Sequence, residues 1–476
     1  MASSPPVPFC VDLDGTLVRT DMLHETLLLL AKNDPVSMLS LPRWLAKGKS
    51  YLKHMVAERT DIDATNLPLN EEVRALIEAA RSEGRPVVLS TAAPSRVASA
   101  VAERLGVFDA IISSSKQVNL SGRRKADALV DRFGDRGFDY IGNHRDDLAI
   151  FARARRGFLV SRSKSLRRAA SRANDDITFI DDPRAGLGTW RRALRLHQWT
   201  KNGLIFVPLL AAQEVGNVNL LIAAVLAFIS FSLCASTVYI LNDLLDLAAD
   251  RAHRSKYRRP FASGALPVAS GVLAAPLLLV TSLLIALLLP TPFIVVLAAY
   301  GFATTAYSFV LKRQVIVDVM LLAGLYTTRI LAGSAATGIQ PSFWLLAFSM
   351  FLFFCLAMVK RYSELRLAID RRETLAGRGY LATDLPVVLA LGASSGTVSA
   401  LVLALYTQST IVQENFPHPH WLWVLPPLML YWTSRLWLKA SRGEVDDDPV
   451  VFATKDWQSI VVVVLMGAAF VIGGLG

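Results

Sequence analysis

The rhythm of apolar positions changes near residue 203. Before it, short apolar runs at 8–13, 86–90, 110–114, 140–141 and 157–160 have strand length, and the stretches between them repeat apolar positions at helical spacing. Strands alternating with helices predict a doubly wound α/β sheet over residues 1–160. A further helical stretch at about 23–69, directly after the first strand, predicts a small cap over the strand ends. Past residue 203 the apolar runs lengthen to membrane-spanning size and are parted by short polar loops. Nine spans are predicted, at about 203–213, 218–241, 268–289, 291–311, 315–337, 342–360, 385–407, 421–438 and 457–475, the first of them short. The chain therefore reads as a Rossmann-like α/β domain with a small helical cap at 1–160, a basic interfacial linker at 161–200 and an all-α polytopic membrane bundle at 201–476.

Charge sharpens this division. The formal net charge is +11, yet the basic residues gather beside the predicted spans, which fits a membrane surface and not nucleic acid. In the linker, Trp190 and Trp199 interleave with Arg191, Arg192, Arg195 and Lys201, a composition suited to a helix at the lipid headgroups. One set of loops carries Arg251, Arg254, Lys256, Arg258 and Arg259, then Lys312 and Arg313, then Lys360, Arg361, Arg366, Arg371, Arg372 and Arg378, then Lys439, Arg442 and Lys455. The opposite loops, at 214–217, 290, 338–341 and 408–420, carry no Lys or Arg. The positive-inside rule then places the first set, and the N-terminus, on the cytosolic side of a bacterial inner membrane. The start MASSPPVPFCVDLDG lacks a leader's basic and apolar regions. Cys10, Cys234 and Cys355 have no metal-ligand spacing and read as packing residues.

Two acid-rich motifs carry candidate chemistry. In the first, VDLDGTL at 11–17, Asp12 and Asp14 stand two apart at a strand end and so face one site, with Gly15 free to make the turn. Paired carboxylates allow one to attack phosphorus while the other handles protons. The segment resembles the first motif of the haloacid-dehalogenase superfamily, and the later motifs follow in order: Thr91 in VVLSTAA, Lys125 in GRRKADAL, and GNHRDDL at 142–148. The resemblance implies a phosphatase in which Asp12 is the nucleophile and Asp14 the general acid/base. Thr91 and Lys125 would hold phosphoryl oxygens, and Mg²⁺ would lie between Asp12, the Asp14 carbonyl and Asp147. Asn143 stands where the family usually has an acid, so metal affinity is expected to fall.

The second motif, NDLLDLAADR at 242–251, ends the second predicted span. On a helix Asn242, Asp243, Asp246 and Asp250 fall near one face, and carboxylates clustered at a membrane boundary are expensive unless they bind a cation. The motif, with Lys256, Arg258 and Arg259 after it, resembles the first signature of the UbiA superfamily, whose helical bundles use a Mg²⁺-bound diphosphate as leaving group. Tyr307, Lys312 and Asp318 also fit that family. The loop after the sixth span departs from it: Lys360, Arg361 and Glu364 in KRYSEL stand where aromatic prenyltransferases have a second aspartate motif. With Lys201 in HQWTKN and Arg329 in LYTTRILAG, this resembles the branch that moves 5-phosphoribose from phosphoribosyl diphosphate to a polyprenyl phosphate. A donor with an extra phosphate and an anionic acceptor call for extra cations. Arg329, inside an apolar span, is expected to line a polar cavity or pair with Asp318. The resemblance implies a transferase whose product the phosphatase domain would dephosphorylate. Two rivals are a prenyltransferase with an aromatic acceptor and a non-enzymatic transporter or lipid-binding bundle with a sensory phosphatase-like domain. The acidic run at 446–456 reads as a capped loop.

Overall fold

The computed structural model describes residues 6–182, 186–370, 379–445 and 449–474. Arg371, Arg372 and Arg378, counted above for topology, and the acids at 446–448 lie outside the described residues. The chain forms two compact units, Met1–Arg195 with Tyr239–Pro276, and Leu196–Val238 with Leu277–Gly476.

The first unit is built on six parallel strands, β1 (Phe9–Val11), β2 (Val87–Pro94), β3 (Ala110–Ser114), β4 (Asp139–Gly142), β5 (Gly157–Val160) and β6 (Ile177–Ile180), in the order β3-β2-β1-β4-β5-β6. Alternation along the strands supplies two cores. Phe9, Val11, Val87, Leu89, Ile141 and Val160 point to one apolar cluster; Cys10, Val88, Tyr140 and Leu159 point to the other. Helices α1 (Met22–Asn33), α2 (Leu41–Ala46) and α3 (Lys49–Arg59) form the cap, and Leu30, Trp44, Leu52 and Val56 give it a core of its own. The crossovers are α4 (Glu71–Ser82), α5 (Ser95–Leu105), α6 (Arg123–Phe133) and α7 (Leu148–Phe151). Helix α4 buries Val73, Ile77 and Ala80, the spacing of one helical face.

The linker reading of 161–200 needs correction at its start. Helix α8 (Lys164–Ala173) buries Ala170 in the second core, and β6 pairs with β5 as the sixth strand. The strand ITFI was hidden because dense Arg and Lys on α8 dominate the local charge. Among the described residues, α9 (Leu187–Ala193) and the start of a 3₁₀ stretch, Leu196–Phe206, remain of the expected connecting segment.

In the remainder, α10 (Val207–Ala211), α11 (Val218–Leu245), α12 (Leu247–Ala252), α13 (Val268–Ala286), α14 (Thr291–Phe309), α15 (Val317–Thr337), α16 (Phe343–Asp370), α17 (Leu385–Thr407), α18 (Thr410–Asn415), α19 (Leu425–Ser441), α20 (Pro449–Lys455) and α21 (Trp457–Gly474) follow. Among the described residues seven helices are long and apolar enough to cross a membrane, so the protein is multi-pass. The other two expected spans are shorter. Residues 203–213 are a 3₁₀ stretch ending in the five-residue α10, and α19 has 17 residues, with Arg435 and Lys439 in its second half. In the second unit small residues set helix spacing. A Cβ on Gly392 of α17 would lie 2.2 Å from Trp437, and one on Gly333 of α15 would lie 2.0 Å from the Ile205 carbonyl. A capped loop is expected at 446–456, but Pro449–Lys455 is helix α20; Asp456 after it accepts the Ser459 N–H at 2.9 Å and caps α21.

Candidate active sites

At the end of β1 the chain turns through Gly15, whose φ of +70° suits glycine; a Cβ there would lie 2.2 Å from Asn143 Nδ2. Buried Asp12 follows β1, its Oδ1 accepting from Lys125 Nζ at 2.7 Å and its Oδ2 from the Thr16 hydroxyl at 3.0 Å. Lys125, on α6, donates also to the Tyr140 hydroxyl at 3.1 Å, and Tyr140 donates to Asp147 Oδ1 at 2.9 Å. Asp147 Oδ2 accepts the backbone N–H groups of Asn143 (3.0 Å) and His144 (2.8 Å). Asp147 thus braces the turn that presents Asn143. Thr91 is fully buried in β2, its hydroxyl accepting the Ala93 N–H at 3.0 Å. Asp14 Oδ1 accepts the Met22 N–H at 2.8 Å, the first amide of α1.

The central charges of this site, Asp12, Lys125 and Asp147, are buried. Burial pushes the Asp14 carboxyl up to about 7, with the nearby charges of Asp21 and Asp12 adding to the shift. Burial also raises Asp147, against the pull of Lys125. Desolvation opposes the Lys125 ammonium, but Asp12 and Asp147 outweigh it and hold Lys125 above its ordinary value. These groups open on a cavity of about 370 Å³ that Lys49 and Lys53 of the cap reach. Gly264, Pro267, Val268 and Ala269, from the chain leading into α13, supply part of its wall within the same unit.

The second acid cluster belongs to that unit too. Helix α11 stops at Leu245, and Asp246 leaves helical geometry (φ −104°, ψ 16°) before α12 begins. The expected single helical face is therefore broken. Asp243 and Asp250 are buried and share Arg259, whose Nη1 donates to Asp243 Oδ1 at 3.0 Å and Asp250 Oδ2 at 2.7 Å; Arg195 reaches Asp243 Oδ1 at 2.5 Å. Asp246 instead accepts from Lys32 of α1 at 3.1 Å. Burial raises the Asp250 carboxyl, and Arg259 opposes the rise. Asn242 is half-buried, while Lys256 and Arg258 are exposed.

The other expected residues lie in the second unit. Asp318 pairs with Arg361 Nη2 at 2.6 Å and accepts from the Tyr380 hydroxyl at 2.7 Å, and Arg361 also pairs with Glu364. Arg361 and Asp318 are fully buried, so the cation expected to meet a substrate phosphate is neutralised inside the protein. The suggested Asp318–Arg329 pair does not form. Eleven residues along one helix separate them by about 16 Å, beyond side-chain reach. Arg329 donates to Asn202 Oδ1 at 2.8 Å instead and lies 5.3–5.4 Å from the ring centroids of Phe231, Tyr300 and Tyr326. Lys201 lies 5.8 Å from the Tyr326 ring centroid, and Tyr307, Lys312 and Lys360 are all partly exposed.

Sequence reasoning passed over Thr16, Tyr140 and Lys32, and took Arg195 only as an interfacial cation. Among the described residues no group of three His, Cys, Asp or Glu side chains is gathered as a metal site. Oxygen donors suited to a hard cation are nonetheless present: Asp12, the Asp14 carbonyl and Asn143 in the first cluster, and Asp243, Asp246 and Asp250 in the second.

Residues 204–455 match the UbiA prenyltransferase family. The chain belongs to that family. Residues 9–152 match the haloacid dehalogenase-like hydrolase model, so the two are fused. A protein of Sinorhizobium fredii, y4nM, is 37% identical over 469 residues, 98% of this chain and 90% of its own. Nodulation protein NoeC of Azorhizobium caulinodans is 36% identical, covering 57% of this chain and 89% of that one. Decaprenyl-phosphate phosphoribosyltransferase of Mycobacterium tuberculosis is 39% identical over 181 residues, 37% of this chain and 60% of that protein, within the UbiA part.

Proposed function

We propose that the UbiA part transfers 5-phosphoribose from phosphoribosyl diphosphate to a polyprenyl phosphate such as decaprenyl phosphate, and that the hydrolase domain then removes the 5-phosphate. The observation that carries the first half is the Asp243–Arg259–Asp250 cluster at the end of an apolar helix, where buried acids and arginines alternate. The relatives named for phosphoribosyl transfer support the choice of donor. Mg²⁺ held by Asn242, Asp243, Asp246 and Asp250 would supply positive charge to the departing diphosphate. Arg195 and Arg259, beside these acids, bind the donor's anionic end. The acceptor is already an oxyanion, so attack on the anomeric carbon calls for no strong base; the C–O bond to diphosphate breaks as the bond to the lipid phosphate forms.

In the hydrolase domain Asp12 attacks phosphorus, and Asp14, with its raised pKa, holds a proton near neutrality for the leaving sugar oxygen. Thr91 and Lys125 bind the phosphoryl oxygens. A second Mg²⁺ would be held by Asp12, the Asp14 carbonyl and Asn143, with Asp147 as their brace.

Both reactions are assigned to the cytosolic face of a bacterial inner membrane. The Glu25–Arg251 and Lys32–Asp246 pairs keep the N-terminal domain on the same side as the loop after α11.

The deciding experiment incubates the purified full-length protein in lipid vesicles with labelled phosphoribosyl diphosphate, Mg²⁺ and decaprenyl phosphate. Lipid-linked label is expected. No such product, together with turnover of prenyl diphosphate on an aromatic acceptor, would replace this reading with ordinary UbiA chemistry.

A further inference from the structure

Helix α1 of the cap carries Glu25 and Lys32 seven residues apart, on one face two turns from each other. The aspartate segment carries Asp246 and Arg251 in the same order, acid before base, so an antiparallel approach to α1 sets opposite charges together. The two meet in that sense. Arg251 Nη1 and Nη2 donate to the two Glu25 carboxylate oxygens at 2.8 and 2.5 Å. Lys32 Nζ donates to Asp246 Oδ1 at 3.1 Å and to the Leu245 carbonyl at 2.8 Å. A parallel approach would have set like charges together.

The two pairs differ in kind. Glu25 and Arg251 are buried, with side chains 8% and 6% exposed, and Arg251 Nε donates to the Ala262 carbonyl at 3.0 Å. Removing one partner of such a pair leaves the other charge uncompensated in a desolvated place, which is far costlier than losing a surface pair. Lys32 is more exposed, but it stands where α11 ends. Leu245 offers a carbonyl that the helix leaves unsatisfied, a position that favours a cation. Asp246 is the residue at which the helix breaks, so Lys32 holds the break and the carboxylate together. A third approach lies close by: a Cβ on Gly264, at φ +69°, would come 2.6 Å from Arg19 Cβ.

We propose that α1 is a positioning element for the transferase's aspartate segment, with Glu25 and Lys32 as its positioning residues. This rests on the assignment of Asp243, Asp246 and Asp250 to the donor's diphosphate. Glu25 fixes the far end of the segment through Arg251, and Lys32 fixes the bend that sets Asp246 apart from the Asp243–Asp250 pair. Through the Met22 N–H the same helix touches Asp14, so its first turn belongs to the phosphatase site.

The test uses the full-length protein in vesicles with Glu25→Gln and Lys32→Met. In Glu25→Gln, amide hydrogen exchange across residues 246–252 should quicken about tenfold while strand β2 stays protected. The KM for phosphoribosyl diphosphate should rise about tenfold with kcat within about twofold. Lys32→Met should move both in the same direction by about threefold, and its exposure makes global unfolding no explanation. Unchanged exchange and unchanged KM in both variants would overturn the proposal. If the unaltered protein transfers no phosphoribose, the assignment of the aspartate site fails; exchange across 246–252 then decides separately whether α1 holds the segment.

Discussion

The two acid clusters of the first unit solve the same electrostatic problem in different ways. Around Asp12, Asp14 and Asp147, Lys125 is the one closely bonded cation among the described residues, and burial leaves both Asp14 and Asp147 raised. Around Asp243, Asp246 and Asp250 each acid has an arginine or lysine against it, and the rise of Asp250 is opposed by Arg259. In the first arrangement burial brings the Asp14 carboxyl up to about 7, where a proton donor is useful, beside the Asp12 nucleophile. The second interleaves acids and bases, so that an anionic ligand and its cation can exchange partners with residues already present. One cluster is set up for covalent chemistry at phosphorus, the other for holding a polyanion.

The sharpest way to break that contrast is to remove one acid from each. Asp12→Asn should lower hydrolysis of p-nitrophenyl phosphate about a thousandfold and leave lipid-linked transfer within about twofold. Asp250→Asn should lower transfer about a hundredfold and spare hydrolysis. Parallel assays on the same vesicle preparations would show this crossover. Equal losses of both activities in either variant would mean that the clusters serve one reaction.

The first cluster was far more legible in the sequence than the second, and chain geometry explains why. Asp12 and Asp14 lie two apart on one strand end, Thr91 sits on β2 and Lys125 on α6, each within a regular βα pattern. Local spacing therefore places them. Tyr140 escaped because its role depends on standing between two charges from other elements, which no local pattern records. In the aspartate segment the spacing assumed an unbroken helix. The break at Asp246 is stabilised by Lys32, 214 residues earlier in the chain, and Arg195 arrives from a stretch whose charge resembled membrane anchoring. Arg361 misled for a related reason. Its composition matched a phosphate-binding loop, yet a register along α16 buries it against Asp318 and Tyr380. The strands and the apolar helices were readable because burial imposes a period; ion-pair partners were not, because pairing is a property of the tertiary fold.

A smaller effect sharpens the metal side of the comparison. Asn143 offers a neutral oxygen where an acid would add charge to the Asp12 site. Asn143→Asp should therefore lower the Mg²⁺ concentration for half-maximal p-nitrophenyl phosphate hydrolysis about tenfold. Asp250→Asn should leave that concentration unchanged. An Asn143→Asp titration curve superimposable on the parent's would remove Asn143 from the cation's surroundings.

The smallest effect concerns a pair at the first turn of α1, where His24 Nδ1 lies 3.4 Å from Asp21 Oδ2. The hydrogen bond to Asp21 raises the imidazole above 6.5. Burial works against Asp21, but His24 and the Leu23 and His24 amides outweigh it and hold that carboxyl below 3.8. The His24 contribution is complete below 6.5 and is lost as pH rises through the raised value. The Asp21 contribution is complete above 3.8 and is lost as pH falls through the lowered one. Between those limits the pair is fully formed, although side-chain exposures of 38% and 48% keep it weak. His24→Gln should lower unfolding stability by about 0.5 kcal/mol at about pH 5.5 and by nothing measurable at about pH 9. Thermal melts of the full-length protein across that range would show it. Glu25→Gln, which breaks the buried pair that the same helix makes with Arg251 of α12, should cost more than His24→Gln at either end. An equal loss for His24→Gln at pH 9 would mean that the imidazole acts through packing, and the exposed and buried pairs of α1 would no longer differ in kind.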